Sequence, residues 1–368
     1  MQNGEATYRH FGWECSPYSS KTRSYLRYKQ IPHVDIYPTI FQLKRVIEKR
    51  VGFLVMPIMI TPENTTLQDS SEIIDTLESR FKEHSITPPG PTQQLVSLLM
   101  ELHADEWMTI IAMHTRWNNP VNRKFIRRDF GAQSCPWLPR FLHPYLGKKI
   151  AEKMRSYLPL LGINEDTVPA IESWMTDLFD NLDSHFSEHH FLLGGRPCLG
   201  DFALYGPLYA HVWRDPGSRN WITSRRHLDA WVERMREPSP QTAGFLPGDQ
   251  VPGTLDAIFQ RVFSEQFSVL SETVEQVSVW CKDNPGQKKI PRGIGQLDFK
   301  LGDVQSQRKL LTFPYWMLQR PLGHYKKLSP DQRLAVDSWL EQVGGLQAMQ
   351  IELDHELVRR NFRVEVAT

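Results

Sequence analysis

The chain is poor in cysteine, has no long apolar run and carries no charge excess. Its four cysteines, Cys15, Cys135, Cys198 and Cys281, are scattered with no CxxC pair. That argues against a zinc ribbon or a disulfide scaffold and suits a reducing compartment, with cytoplasm the default. No uncharged apolar stretch approaches the roughly 20 residues that a membrane-spanning helix needs, so no membrane partner is expected. The segment Met1 to Tyr8 is polar and lacks the apolar core of a signal peptide. Lys and Arg number 43 against 42 Asp and Glu, a formal net charge of +1. That balance gives no reason to expect a nucleic-acid partner. His185, His189 and His190 stand close together, but no cysteine or carboxylate arrangement completes a site, so no metal is expected.

What is present suits a soluble protein of more than one domain, with 368 residues and 11 tryptophans, most of which belong to a core. The first part reads β-α-β. Tyr8 to Trp13 is a strand, and Pro17 to Gln30 is a helix with Ser16 as N-cap and proline at its first position. Val34 to Tyr37 is a second strand, and Phe41 to Arg50 a short, irregular helix. Pro57 to Thr61 and Thr65 to Leu67 form a hairpin around Pro62-Glu63-Asn64. Asp69 then caps a helix over 70–81.

Pro88-Pro89-Gly90-Pro91 marks a linker, after which the pattern becomes helical: 93–117, 170–186, an apolar and therefore buried 201–213, and 227–236. From about Gly244 a tail follows. It reads as a helix over 254–280, a hairpin signalled by alternating Leu297, Phe299 and Leu301 before Gly302-Asp303, and a helix opened by the capping box Ser329-Pro330-Asp331-Gln332.

Four runs carry a resemblance. Cys15-Ser16-Pro17-Tyr18-Ser19-Ser20-Lys21-Thr22-Arg23 is similar to the active-site turn of the glutathione transferase superfamily. Val55-Met56-Pro57-Ile58 resembles that family's step before a cis-proline, and Leu67-Gln68-Asp69-Ser70-Ser71-Glu72-Ile73-Ile74 its acidic-Ser turn. Phe191 to Phe202 resembles its helical-domain capping segment, with Cys198 where serine or threonine is usual. The resemblance covers roughly residues 6–240. It implies a thioredoxin-like α/β domain over 1–84, an all-α transferase domain over 93–243, and outside the family pattern an extension over 244–368, mainly helical with a β-hairpin at 297–310.

The function implied is binding of reduced glutathione as co-substrate and attack of its thiolate on a small electrophile, the conjugation chemistry of detoxification. The thiolate is the nucleophile, so the site must lower the thiol pKa. Ser16 and the N-terminus of the following helix suit that charge. The backbone of Met56 before Pro57 suits the cysteinyl part. Ser70 and the amides of its helix suit the γ-glutamyl carboxylate, Asp69 the ammonium, and Lys44 or Arg50 the glycyl carboxylate. Trp107, His114 and Trp117, spaced along one helix face, are candidates for the second-substrate pocket. They read equally well as a core stripe. Cys15 offers a different chemistry, thiol transfer through a mixed disulfide, if the turn shifts by one residue; its plainer reading is a small buried side chain. Ser16 can also be an N-cap and nothing more. The fold equally hosts non-enzymatic binding or scaffold proteins, for which a tail filling the cleft at Tyr315 or Trp316 is the expected sign. A homodimer is the family's usual assembly.

Overall fold

The computed structural model describes residues 7–367. Most of the polar Met1–Tyr8 segment therefore lies outside the described residues, as do the first residues of the 1–84 segment and the last of 244–368.

Strands β1 (Tyr8–Phe11) and β2 (His33–Ile36) pair in parallel around helix α1 (Pro17–Tyr28). Residues 40–51 form α2 (Ile40–Gln42), a π-helical stretch (Leu43–Glu48) and α3 (Lys49–Val51), as irregular as their sequence suggests. Strand β3 (Ile58–Ile60) pairs antiparallel with β1, and β4 (Thr66–Gln68) antiparallel with β3, giving the order β2-β1-β3-β4. Helix α4 (Ser70–Arg80) follows directly. This is the thioredoxin-like sheet. Its central β3 is wholly apolar and wholly buried, as a strand covered on both faces must be. Helix α1 is mostly polar yet almost entirely buried, because a helical layer closes over it. A Cβ on Gly206 of that layer would lie 2.8 Å from the Pro17 carbonyl oxygen, so glycine there permits the close approach.

The helical layer begins with α5 (Pro91–Leu102) and α6 (Thr109–Asn118). The sequence reads these as one helix, but a π-helical turn (His103–Trp107) interrupts them. Next come α7 (Pro120–Ser134) and α8 (His143–Arg155), where the sequence reading assigns no helix. Their apolar periodicity is thin because the buried positions are mostly small or polar, Asn122, Gly131, Ser134, His143, Gly147 and Ala151, which lets the two helices pack closely. The start signal of α7 is nevertheless intact: Asn119 caps it and Pro120 takes the first position. Helix α9 (Val168–Glu188) precedes α10 (Leu199–Pro207), which continues π-helically through Leu208–Trp213, then α11 (Asn220–Thr223) and α12 (Arg226–Arg236). Cys198 and Asp201 form a capping box, the Cys198 side chain facing the Asp201 amide and the Asp201 carboxylate taking the Cys198 amide. Asp201 accepts from the Cys198 amide at 2.9 Å, the Leu192 amide at 3.0 Å and Trp231 Nε1 at 3.1 Å. Burial still pushes its carboxyl up, to about 6.

The extension contains α13 (Asp256–Arg261), a π-helical stretch (Val262–Gln266) and α14 (Phe267–Asp283), then the hairpin β5 (Gly293–Leu301) and β6 (Val304–Leu311). Gly302, at φ +56°, makes the tight turn that the Gly-Asp pair signals. Helix α15 (Phe313–Lys326) was not anticipated; α16 (Pro330–Gln342) opens with the expected capping box. A second hairpin, β7 (Leu357–Arg360) and β8 (Arg363–Val366), ends the described chain. Its turn puts Asn361 and Phe362 at φ +49° and +63°. Phenylalanine rarely adopts such values, which is why no turn signal stands in the sequence there. The extension is no loose appendage: Tyr315, Leu318 and Trp339 belong to the same continuous core as the sheet.

Candidate functional site

The register of the sheet assembles the candidate site. Phe11, the last residue of β1, pairs with Ile58, the first of β3, and Ile58 pairs with Gln68, the last of β4. The turn after β1, the residues before β3 and the residues after β4 therefore meet at one end of the sheet. They hold Ser16, Met56-Pro57 and Asp69-Ser70.

Ser16 caps α1, its hydroxyl accepting from the Ser19 amide at 3.3 Å, and stays half-exposed. Cys15 next to it is buried, and burial pushes its thiol up to about 12. Its carbonyl accepts from Arg116 Nη1 at 2.8 Å, and Arg116 is itself fixed by Asp215 at 2.7 Å, so the helical layer pins the turn. The Met56–Pro57 peptide is cis. Neither backbone polar group of Met56 has a hydrogen-bond partner among the described residues, and a strand end in that state can accept an extended ligand. Asp69 sits at φ +84°, held there as its side chain accepts from the Ser71 amide at 2.9 Å and the Glu72 amide at 3.4 Å. A non-glycine residue in such a conformation is a mark of functional sites. Ser70 is buried at the first position of α4.

Lys21 and Arg23 of the active-turn motif are structural. Lys21 is buried, with its ammonium 2.7 Å from Glu101, 2.6 Å from Asp105 and 3.3 Å from the Ser71 hydroxyl. Burial disfavours the Glu101 charge, but Arg320 and Lys21 hold the carboxyl below its ordinary range. Arg23 pairs with Asp35 and donates to the Gly12 carbonyl at 2.9 Å. Arg50 is engaged with Asn64 at 2.6 Å and Thr66 at 3.0 Å, while Lys44 is exposed.

The three pocket candidates part company. Trp107 is buried edge-on to Phe299 of β5 at 6.2 Å, with Arg308 of β6 over its ring at 4.9 Å. His114 lies 3.3 Å from Glu172 and lines a cavity of about 500 Å³. Trp117 is buried beside a cavity of about 1260 Å³ between α7 and α8. His185 is buried 2.7 Å from the Thr254 hydroxyl. No metal-holding group of His, Cys, Asp or Glu is present among the described residues.

The extension reaches the site, a contact with no signal in the sequence. The side chain of Arg359 of β7 is 4 % exposed, with Nη1 3.6 Å from Asp69 and 3.1 Å from Glu72. The same guanidinium donates to the Gln68 carbonyl at 3.2 Å and to the Gln68 side chain, and lies 5.5 Å from the ring of Trp316. Arg320 of α15 binds Asp75 at 2.5 Å and Glu101 at 3.0 Å. The carboxylate assigned to a ligand ammonium thus already faces a cation from the tail, and Trp316 backs that cation.

Residues 11–85 match the sequence model of the family described as the glutathione S-transferase N-terminal domain. The chain carries a glutathione S-transferase N-terminal domain. No curated protein matches the chain. Among solved structures, glutathione transferase GSTFuA3 of Phanerochaete chrysosporium is 15 % identical with a TM-score of 0.43, covering 63 % of this chain and 96 % of its own. A β-etherase of Sphingobium sp. strain SYK-6 is 14 % identical at 0.45, covering 62 % and 94 %. A glutathione S-transferase of Methylobacterium radiotolerans, solved with glutathione sulfonate, is 20 % identical at 0.38, covering 63 % and 91 %.

Proposed function

We propose that this transferase-fold chain binds reduced glutathione at the end of its sheet and stabilises the thiolate for attack on a small electrophile, and that its own extension stands in the γ-glutamyl subsite until glutathione displaces it. The observation that carries the reading is the meeting of Ser16, the unpaired Met56 backbone and Asp69-Ser70 at one sheet end. Met56 pairs with the cysteinyl unit, Ser70 and the amides of α4 take the γ-glutamyl carboxylate, Asp69 takes the ammonium and Lys44 the glycyl carboxylate. The thiolate lies over the N-terminus of α1, where Ser16 donates to sulfur. The high, buried Cys15 thiol does not support the disulfide route. Trp107, His114 and Trp117 face different surroundings, which leaves the second substrate without a common pocket in this arrangement. Segments 1–84, 93–243 and 244–368 as units, a homodimer and a cytoplasmic location belong to the same reading.

Thiolate absorbance of bound glutathione tests it. Ser16→Ala raises the bound thiol pKa by about 1–2 units, the worth of one hydrogen bond to a charged group. An unchanged pKa assigns Ser16 to capping alone.

The contact between Arg359 and Asp69 favours a second reading, a non-enzymatic protein whose cradle serves only to seat its own tail. That reading predicts no glutathione binding even when Arg359 is removed.

A further inference from the structure

The near-neutral total hides a strong local imbalance. Residues 120–155, which form α7, α8 and their connection, contain nine Lys and Arg against two acids, Asp129 and Glu152, in a chain of net +1. Asp129 is already answered by Arg214 at 2.8 Å. Among the described residues, Lys148, 3.7 Å from Glu152, is the one cation of this hairpin with an acidic partner.

Large apolar side chains stand in solvent on the same hairpin: Trp137 is 52 % exposed, Phe141 72 % and Tyr145 75 %. Isolated exposed apolar residues are ordinary, but a cluster interleaved with unpaired cations is an interaction surface. The patch crosses to the sheet domain. The Trp137 ring stacks on Phe41 at 5.4 Å, Phe41 is itself 56 % exposed, and Arg45 lies 5.8 Å from its ring. Residues 40–51 add four cations against Glu48.

The cavity of about 1260 Å³ on this hairpin is lined by Arg123, Arg127, Arg128, Arg140 and Arg155, and also by the two acids, Asp129 and Glu152. The Arg127 Nε is buried with no hydrogen-bond partner, as is Asp129 Oδ2 of the same lining, so the five arginines rather than that one donor set the positive sign of the cavity.

We propose that this face docks the protein on an anionic phospholipid bilayer. The cavity takes a phosphate-bearing headgroup, the flanking cations follow the negative surface, and Trp137, Phe141 and Tyr145 enter the interfacial zone. A second copy fits less well, since two such faces carry charge of one sign. Nucleic acid satisfies the cations too, but Trp137 and Phe41 already stack on one another, which takes two of the exposed rings away from base stacking.

The test is sedimentation of the full chain with vesicles. Vesicles with about 30 % phosphatidylserine should bind at least about tenfold more protein than phosphatidylcholine alone, and raised salt should release it. Phe141→Ser with Tyr145→Ser, both exposed and outside the cradle, should cut binding about tenfold at unchanged circular dichroism. Glutathione affinity should be unaffected, which separates this proposal from the reading of the cradle. Equal binding to both vesicles, no binding at all, or release of vesicle-bound protein by single-stranded RNA with retention of the RNA complex by the double variant would overturn it.

Discussion

Arg359 and Asp69, 290 positions apart in the chain, meet at 3.6 Å at the start of α4. The guanidinium stands where the ammonium of a bound γ-glutamyl group is expected. Two cations cannot share that carboxylate at full strength, so glutathione and the terminal hairpin compete. Linkage is reciprocal: whatever the hairpin takes from glutathione affinity, glutathione takes from hairpin stability. Saturating glutathione should speed amide exchange in residues 357–366, by about tenfold for a coupling near 1.4 kcal/mol. Unchanged exchange at saturation would separate the hairpin from ligand binding.

The ion network behind the cradle is predicted to be essential to the fold. Lys21 touches two acids and a hydroxyl in a dry environment. Lys21→Met leaves Glu101 and Asp105 facing one another with Arg320 alone to answer them, and should destabilise by about 3–5 kcal/mol. Urea unfolding measures this. A loss below about 1 kcal/mol would mean the network is solvated or rearranges freely.

Cysteine reactivity should sort by burial. Cys15 and Cys198 are buried, while Cys135 and Cys281 are partly exposed. Burial raises the Cys15 thiol to about 12 and pushes Cys198 up as well. Iodoacetamide on the native protein should label Cys135 and Cys281 first, with Cys15 reached only after denaturation. Early labelling of Cys15, read by peptide mass spectrometry, would reopen the thiol-transfer route.

His103 makes a pH prediction. Burial lowers its pKa from 6.5 to about 4, against a hydrogen-bond distance of 2.8 Å to Gln266. Its folded pKa lies below the unfolded one, so between about pH 6.5 and 4 the unfolded state binds the extra proton. Its contribution is therefore whole above pH 6.5 and is lost as the pH falls towards 4, at up to about 1.4 kcal/mol per pH unit. His103→Gln should flatten the acid limb of the stability curve by that slope. Parallel curves for the two proteins would refute the assignment.

Much of the fold was legible. Ser16 before Pro17, Asp69 before α4 and Ser329 before α16 are local signals, each written in a few adjacent residues, and each sits where the sequence puts it. Helices α7 and α8 were missed because their buried stripe is written largely in small or polar residues, Asn122, Gly131 and Ser134 in α7 and His143, Gly147 and Ala151 in α8. The terminal hairpin was missed because its turn uses Asn361-Phe362 in place of glycine. Of the candidate site, the runs that meet at the end of the sheet stand out in the sequence as a family-like pattern, and the resident cation does not. Arg359 sits in the run Val358-Arg359-Arg360-Asn361, which carries no motif, and its contact with Asp69 exists only through the packing of the whole extension. Contacts that span nearly the full chain leave no local trace.

The most direct test is calorimetric titration of reduced glutathione into the wild-type chain and into Arg359→Ala. The account predicts binding to both, about tenfold or more tighter in Arg359→Ala, where Asp69 no longer faces a guanidinium. No binding to either protein would contradict it and leave the cradle as a seat for the tail.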